Sequence, residues 1–119
     1  MSTQAQGQAA ESLASLYLER HGLRLVERNY RCRAGELDLI MRDGAQWVFV
    51  EVRSRRAGRH GGPLDSVTPH KQRRLLRAAA HYLQRRRIDA PCRFDVVGIL
   101  HDGSETHIDW IRDAFQAID

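Results

Sequence analysis

Two alternating stretches joined by a tight-turn signal constrain this chain more than any other feature. In residues 36–42 (ELDLIMR), Leu37, Leu39 and Met41 point one way and Glu36, Asp38, Ile40 and Arg42 the other. In residues 46–54 (QWVFVEVRS), Val48, Val50 and Val52 share one face, and Trp47, Phe49, Glu51 and Arg53 share the other. Asp43-Gly44 between them is a hairpin signal. A Gly44-Ala45 loop pairs Asp43 with Gln46, and so sets Asp38 opposite Glu51 and Glu36 opposite Arg53. An Asp43-Gly44 loop also keeps Asp38 and Glu51 on one face. A three-residue loop sends them to opposite faces, so register decides whether the two acids meet. In the first register their Cβ atoms are about 5 Å apart.

The rest of the chain supplies helices for such a hairpin to pack against. Ala10, Leu13, Ala14, Tyr17 and Leu18 recur at helical spacing and predict a helix over residues 8–21, with Glu11 in its first turn and Gly22 as its stop. Residues 1–7 read as a flexible tail, leaving one domain over residues 8–119. A strand is expected over 23–31 and a glycine-rich loop over 55–68. Thr68-Pro69 then caps a helix running to about residue 87, its apolar stripe made by Leu75, Leu76, Ala79, Tyr82 and Leu83. Strands over 92–100 and 106–111 and a short closing helix over 111–118 complete the order α-β-β-β-α-β-β. An antiparallel meander followed by a right-handed crossover makes this an α/β chain, with a mixed sheet flanked by helices.

Charge narrows the partner class. Residues 20–93 hold 18 of the 19 basic groups but only seven of the 15 acids, and Lys71 is the sole lysine. Arginine grips phosphate bidentately, and a basic face attracts polyanions, so nucleic acid is the first partner to consider. No apolar run is long enough to span a membrane. With no export signal, Cys32 and Cys92 read as reduced thiols, and the cytoplasm is the expected compartment. The six histidines lack metal-ligand spacing. No Ser, Cys or Thr is flanked by a plausible base in the sequence, and no Gly-Lys-Ser/Thr follows the loop glycines to make a phosphate-binding loop. Asp95, in a Phe/Val setting, reads as structural and paired with an arginine, and Tyr17 and Tyr82 read as core.

Against that basic background the acids stand out. Adjacent carboxylates repel unless a positive charge lies between them, and a divalent ion supplies it. Hard oxygen ligands favour Mg²⁺ or Mn²⁺. The competing reading is a Glu36–Arg53 cross-strand ion pair, with Asp38 and Glu51 on a solvated sheet face. Spacing alone leaves both open.

Asp38, twelve residues, then Glu51-Val52-Arg53 resembles the PD-(D/E)xK nuclease signature, whose last position is usually lysine. A wider pattern runs through Gly7, Glu11, Ala14 and Tyr17-Leu18, then Arg28-Asn29-Tyr30-Arg31 and Gly35-Glu36-Leu37-Asp38-Leu39-Ile40. It continues through Val48-Phe49-Val50-Glu51-Val52-Arg53, Arg55, Val67, Lys71 and Arg93-Phe94-Asp95-Val96-Val97. This pattern, over residues 7 to about 100, is similar to the YraN family of small bacterial proteins. That family in turn resembles archaeal Holliday-junction resolvases of restriction-endonuclease-like fold. The resemblance implies a metal-dependent endonuclease that hydrolyses phosphodiester bonds, with DNA ahead of RNA and branched or junction structures as candidate substrates. It assigns Asp38 and Glu51 to Mg²⁺ or Mn²⁺, the Val52 carbonyl as a third ligand, and Glu11 to the ion directly or through water. Arg53 stands in the lysine position, and Lys71 or Gln72 extends the site. Arginine cannot be deprotonated in a protein, so Arg53 is no general base, though it can stabilise charge on the scissile phosphate. Arg55, Arg56, Arg59 and the helix face bearing Lys71, Arg74 and Arg77 would contact backbone phosphates. Resolvase-like action implies a homodimer by analogy. The alternatives are a non-catalytic nucleic-acid-binding module that keeps the nuclease fold, and an accessory protein binding another protein or structured RNA.

Overall fold

The computed structural model describes residues 3–58 and 61–116. Its elements are α1 (Thr3–Arg20), β1 (Arg24–Cys32), β2 (Gly35–Asp43), β3 (Gln46–Arg56), a 3-10 turn at Pro63–Ser66, α2 (Pro69–Arg85), β4 (Cys92–Asp102) and β5 (Glu105–Phe115). The five strands form one sheet in the order β1-β2-β3-β4-β5. β1–β2, β2–β3 and β4–β5 are antiparallel, and β3–β4 is parallel, with α2 in the crossover. This is an α/β fold consistent with the restriction-endonuclease-like class. No helix among the described residues is long and apolar enough to cross a membrane.

Each helix buries one face of the sheet. Ala10, Ala14 and Leu18 of α1 pack on Leu39, Met41, Val48, Val50, Val97 and Ile99. Leu75, Ala78, Ala79 and Tyr82 of α2 pack on Ile40, Phe49, Phe94 and Val96, the opposite set. Both helices are bounded by the signals their sequences carry. Gly22, at φ +96°, closes α1 as Leu23 N–H donates to the Leu18 carbonyl at 3.1 Å. Thr68 Oγ1 accepts from Lys71 N–H at 3.2 Å, with Pro69 in the first turn of α2.

The central hairpin takes the first of the registers considered. Asp43 pairs with Gln46, and Gly44 (φ +60°) and Ala45 form the loop. Several boundaries differ from expectation. α1 reaches back to Thr3, taking in most of the stretch read as a tail. β3 runs on through Arg55 and Arg56, held by parallel pairing to Leu100 and His101. The loop read over 55–68 contains the 3-10 turn, and α2 ends at Arg85.

The closing helix is not formed where residues 111–116 are described; β5 continues to Phe115 instead. Two long-range contacts outweigh local helix preference there. Phe115 stacks on Phe94 at 5.0 Å, and Asp113 N–H donates to buried Asp95 at 3.0 Å. Residues 117–118 of that expected helix lie outside the described chain.

Asp95 is structural and arginine-paired, as expected. It is wholly buried and accepts from Arg93 Nε at 3.0 Å and from Trp110 Nε1 at 2.9 Å. Arg93 Nη1 also donates to Asp43 and Gln46, both at 2.9 Å, tying the hairpin end to β4 and β5.

Strict alternation fails once in β2. Leu37 lies in the α2-side core with Ile40, whereas Leu39 and Met41 lie in the α1-side core. The break falls at Asp38. Across from it on β1, Asn29 adopts φ +55°, between Arg28, paired with Leu39, and Tyr30, paired with Leu37. Asn tolerates this left-handed conformation better than most residues, and the two strands change face together.

Candidate functional site

The β2–β3 ladder ends at Leu39–Val50, just short of Asp38. There the Asp38 side chain replaces a strand partner, since Oδ2 accepts from Val52 N–H at 2.9 Å. A strand residue's N–H and C=O point to the same side, so the Val52 carbonyl also projects toward this free edge of β3. Glu51 is buried at 5% exposure, and its Oε2 lies 2.9 Å from Lys71 Nζ in the first turn of α2. That contact lacks hydrogen-bond geometry. Glu51 Oε2 and Glu11 Oε1 are thus buried carboxylate oxygens without a hydrogen-bond partner among the described residues. Gln72 turns away, its Nε2 donating to the Val67 carbonyl at 3.0 Å.

Burial dominates the electrostatics. It pushes the Asp38 carboxyl up to about 9, helped by hydrogen bonding with Glu51 and by the Glu51 charge, against the Val52 N–H. Glu11 adds a smaller upward push from α1. Glu11 is itself raised by burial, opposed by Asn29 hydrogen bonding and by Arg28, whose Nη2 lies 3.6 Å from Oε1. Asp38, beside buried Glu51, therefore holds its proton well above the ordinary carboxylate range.

These features fit a divalent cation. Asp38, the Val52 carbonyl and Glu51, whose Oε2 already lies 2.9 Å from Lys71 Nζ, are the oxygen groups that would hold a hard ion here. Among the described residues no group of three or more His, Cys, Asp or Glu side chains is placed to hold an ion. Glu11 is near enough to raise Asp38 by its charge, but it does not close a three-carboxylate cage with Asp38 and Glu51.

The cations are arranged differently from the motif expectation. Arg53 Nε donates to Ser66 Oγ at 2.9 Å, and Ser66 Oγ donates to the Pro63 carbonyl at 2.7 Å. The residue in the motif's lysine position therefore holds the Pro63–Ser66 turn. Glu36 does not meet Arg53 across the hairpin; it pairs with Arg31 at 3.5 Å. Gly98 seats the same turn, because a Cβ there would lie 2.1 Å from Pro63 Cγ. The turn leads directly into Thr68 and α2, and α2 delivers Lys71 to Glu51.

Of the remaining basic residues, Arg55 donates to the Gly61 carbonyl and Arg56 is exposed. Arg74 Nε reaches the Ala34 carbonyl at 3.4 Å. Arg77 is exposed on the same helix. Arg59 lies outside the described residues. Two residues of the site escape a reading of the sequence. Asn29 carries a usable signal, as the strand residue most tolerant of positive φ. Ser66 carries none.

An α/β sheet whose β2–β3 pairing stops beside two desolvated acids, Asp38 and buried Glu51, defines the class of fold and site. Residues 10–99 match the uncharacterised protein family UPF0102, and the chain belongs to that family. It is 56% identical to a UPF0102 protein of Nitrosococcus oceani over 92% of this chain and 90% of the relative. It is 50% identical to one of Stutzerimonas stutzeri, covering 97% and 98% of the two chains. A third, from Shewanella pealeana, is 49% identical over 94% and 96%. UPF0102 is the YraN family that the sequence pattern resembles.

Proposed function

We propose that this protein is a metal-dependent phosphodiesterase acting on nucleic acid, with DNA as the first substrate to test. The observation that carries the reading is Asp38 bonded to Val52 N–H beside buried Glu51, at the edge where the β2–β3 ladder ends. Asp38, Glu51 and the Val52 carbonyl would hold Mg²⁺ or Mn²⁺, with Glu11 reaching it through water. When bound, such an ion supplies Lewis acidity and lowers the pKa of its water.

The chain's own residues do the rest. Lys71 places positive charge against Glu51 from the opposite layer, where it can offset charge on a phosphate seated at the strand edge. Arg53 positions that lysine through Ser66 and the turn preceding α2. Arg56 and Arg77 are exposed and available to backbone phosphates.

A specific observation favours a second reading, a non-catalytic nucleic-acid-binding module. Lys71 already neutralises Glu51, so the site is balanced without an ion. Calorimetric Mn²⁺ titration of the native protein against Asp38→Asn separates the two, combined with incubation on branched, flapped, single-stranded and duplex DNA with and without Mn²⁺. The nuclease reading expects binding lost in the variant and Mn²⁺-dependent turnover on at least one substrate. Salt-sensitive binding with no turnover on any of them supports the module.

A further inference from the structure

A groove of about 1070 Å³ follows β3 beyond the carboxylates. Its floor is a strand edge. Trp47 N–H and Ala57 N–H donate to Pro91 and His101 carbonyls on the β4 side. Backbone groups two residues apart in a strand point the same way. Those of Ser54 and Arg56 therefore face away from β4, onto the edge that Val52 shares. No strand among the described residues pairs with that edge past Val50. One wall of the groove is apolar, with Ala9 and Leu13 of α1 beside Ile99 and Ile108. Arg53, Arg55 and Arg56 run along the edge, and two histidines also line it, His101 with Nε2 3.1 Å from Ser54 Oγ and His107 with Nε2 3.4 Å from Glu105. Of the lining acids, Asp65 is occupied by the Gly62 N–H at 2.8 Å, and Asp109 lies on β5.

We propose that this groove carries one single strand of nucleic acid away from the carboxylate site, phosphates on the arginine edge and bases against the α1 wall and the two histidines. The proposal takes its class of ligand from the nucleic-acid reading above. The groove's volume lies just above the range of small-ligand pockets, ~300–1,000 Å³, so it suits several linked units better than a mononucleotide. An anionic backbone bearing flat apolar faces matches a wall-and-edge groove. A duplex hides those faces in its stack and presents phosphates alone. An acidic extended polypeptide would satisfy the edge amides too, but it has no use for the rings.

The test is fluorescence anisotropy in EDTA, which reads binding without cleavage. The probes are a fluorescein-labelled oligothymidylate and a hairpin duplex with the same number of phosphates. The native protein is expected to bind the single strand about tenfold more tightly than the duplex. Ala9→Glu and Arg56→Glu, both at exposed positions, each weaken single-strand binding about fivefold or more, through a like charge set against phosphate. Arg56→Glu also flattens the dependence of log K on log salt by about 0.7 for each phosphate that is no longer neutralised. Arg85→Glu, on the last turn of α2, leaves single-strand affinity unchanged, and circular dichroism confirms that each variant is folded.

Equal or tighter duplex binding, or no effect of Ala9→Glu, overturns the proposal. So does groove-dependent binding of an acidic peptide without affinity for oligothymidylate. Single-strand binding that follows the groove variants while Mn²⁺ turnover is absent removes the nuclease reading and leaves the groove. Turnover undiminished in those variants with duplex preferred removes the groove and leaves the nuclease.

Discussion

Lys71 and Glu51 meet at 2.9 Å across two layers of the fold, one in the first turn of α2 and the other buried on β3. Removing the cation leaves a buried carboxylate unpaired. A fully buried pair would lose about 3–5 kcal/mol. Lys71 is 37% exposed, and water replaces part of the interaction, so Lys71→Ala is expected to cost about 1–2 kcal/mol. Urea denaturation measures it. Adding Glu51→Gln should recover part of the loss; a double variant no more stable than Lys71→Ala would show that the pair is not coupled.

Stability should fall as pH rises because of Asp38. Its carboxyl is raised from 3.8 to about 9 in the fold, so between those values the folded chain keeps a proton that the unfolded chain has released. Folded protein binding more protons means stability decreasing with pH across that window. Melting temperatures followed from about pH 5 to pH 8 should fall more steeply for the native protein than for Asp38→Asn. Parallel curves for the two proteins would remove Asp38 as the source.

Gly98 is the seat of the turn that precedes α2. Gly98→Ala drives a methyl to 2.1 Å from Pro63 Cγ, so strand or turn must move. Overpacking of this kind costs about 1–3 kcal/mol. The displaced turn should also loosen Ser66 from Arg53 and weaken Mn²⁺ binding in calorimetry. Adding Pro63→Gly clears the obstruction and should restore stability in part; no recovery would place the fault elsewhere in β4.

The Asp95 network should be the most sensitive point outside the site. Asp95→Ala leaves Arg93, whose side chain is 11% exposed, without its main counter-charge. It also removes the acceptor for Trp110 Nε1 and Asp113 N–H. The expected loss is about 3–5 kcal/mol by urea denaturation. Asp95→Asn keeps an acceptor oxygen and should cost less. Equal losses would mean that charge alone matters there.

The hairpin and the crossover are readable from residues close in the chain. Asp43-Gly44 signals a tight turn, of whose possible registers the structure takes the Gly44-Ala45 loop, and the alternation of Val48, Val50 and Val52 against Phe49 and Glu51 follows from strand geometry. The α2 start at Thr68-Pro69 was equally local. Leu37 escaped this reasoning because the pleat reverses at Asp38 together with Asn29 on the neighbouring strand, and one strand's periodicity carries no information about its partner. Residues 111–115 misled it because Phe94 and Asp95 hold them as strand.

The roles of the two cations show where local reading stops. Position 53 follows the acidic motif in the chain, so Arg53 was the natural candidate for the charge beside Glu51. In the folded protein Arg53 turns to Ser66, and Lys71 arrives from the other layer. Residue type and spacing are enough to bring the two acids to the end of one hairpin, but the ladder stops at Leu39–Val50, and Asp38 reaches the β3 edge by bonding Val52 N–H in place of a strand partner. Which positive group reaches them depends on how α2 docks, through Gly98, Pro63 and the Tyr82 core, and docking is the joint outcome of contacts between distant segments.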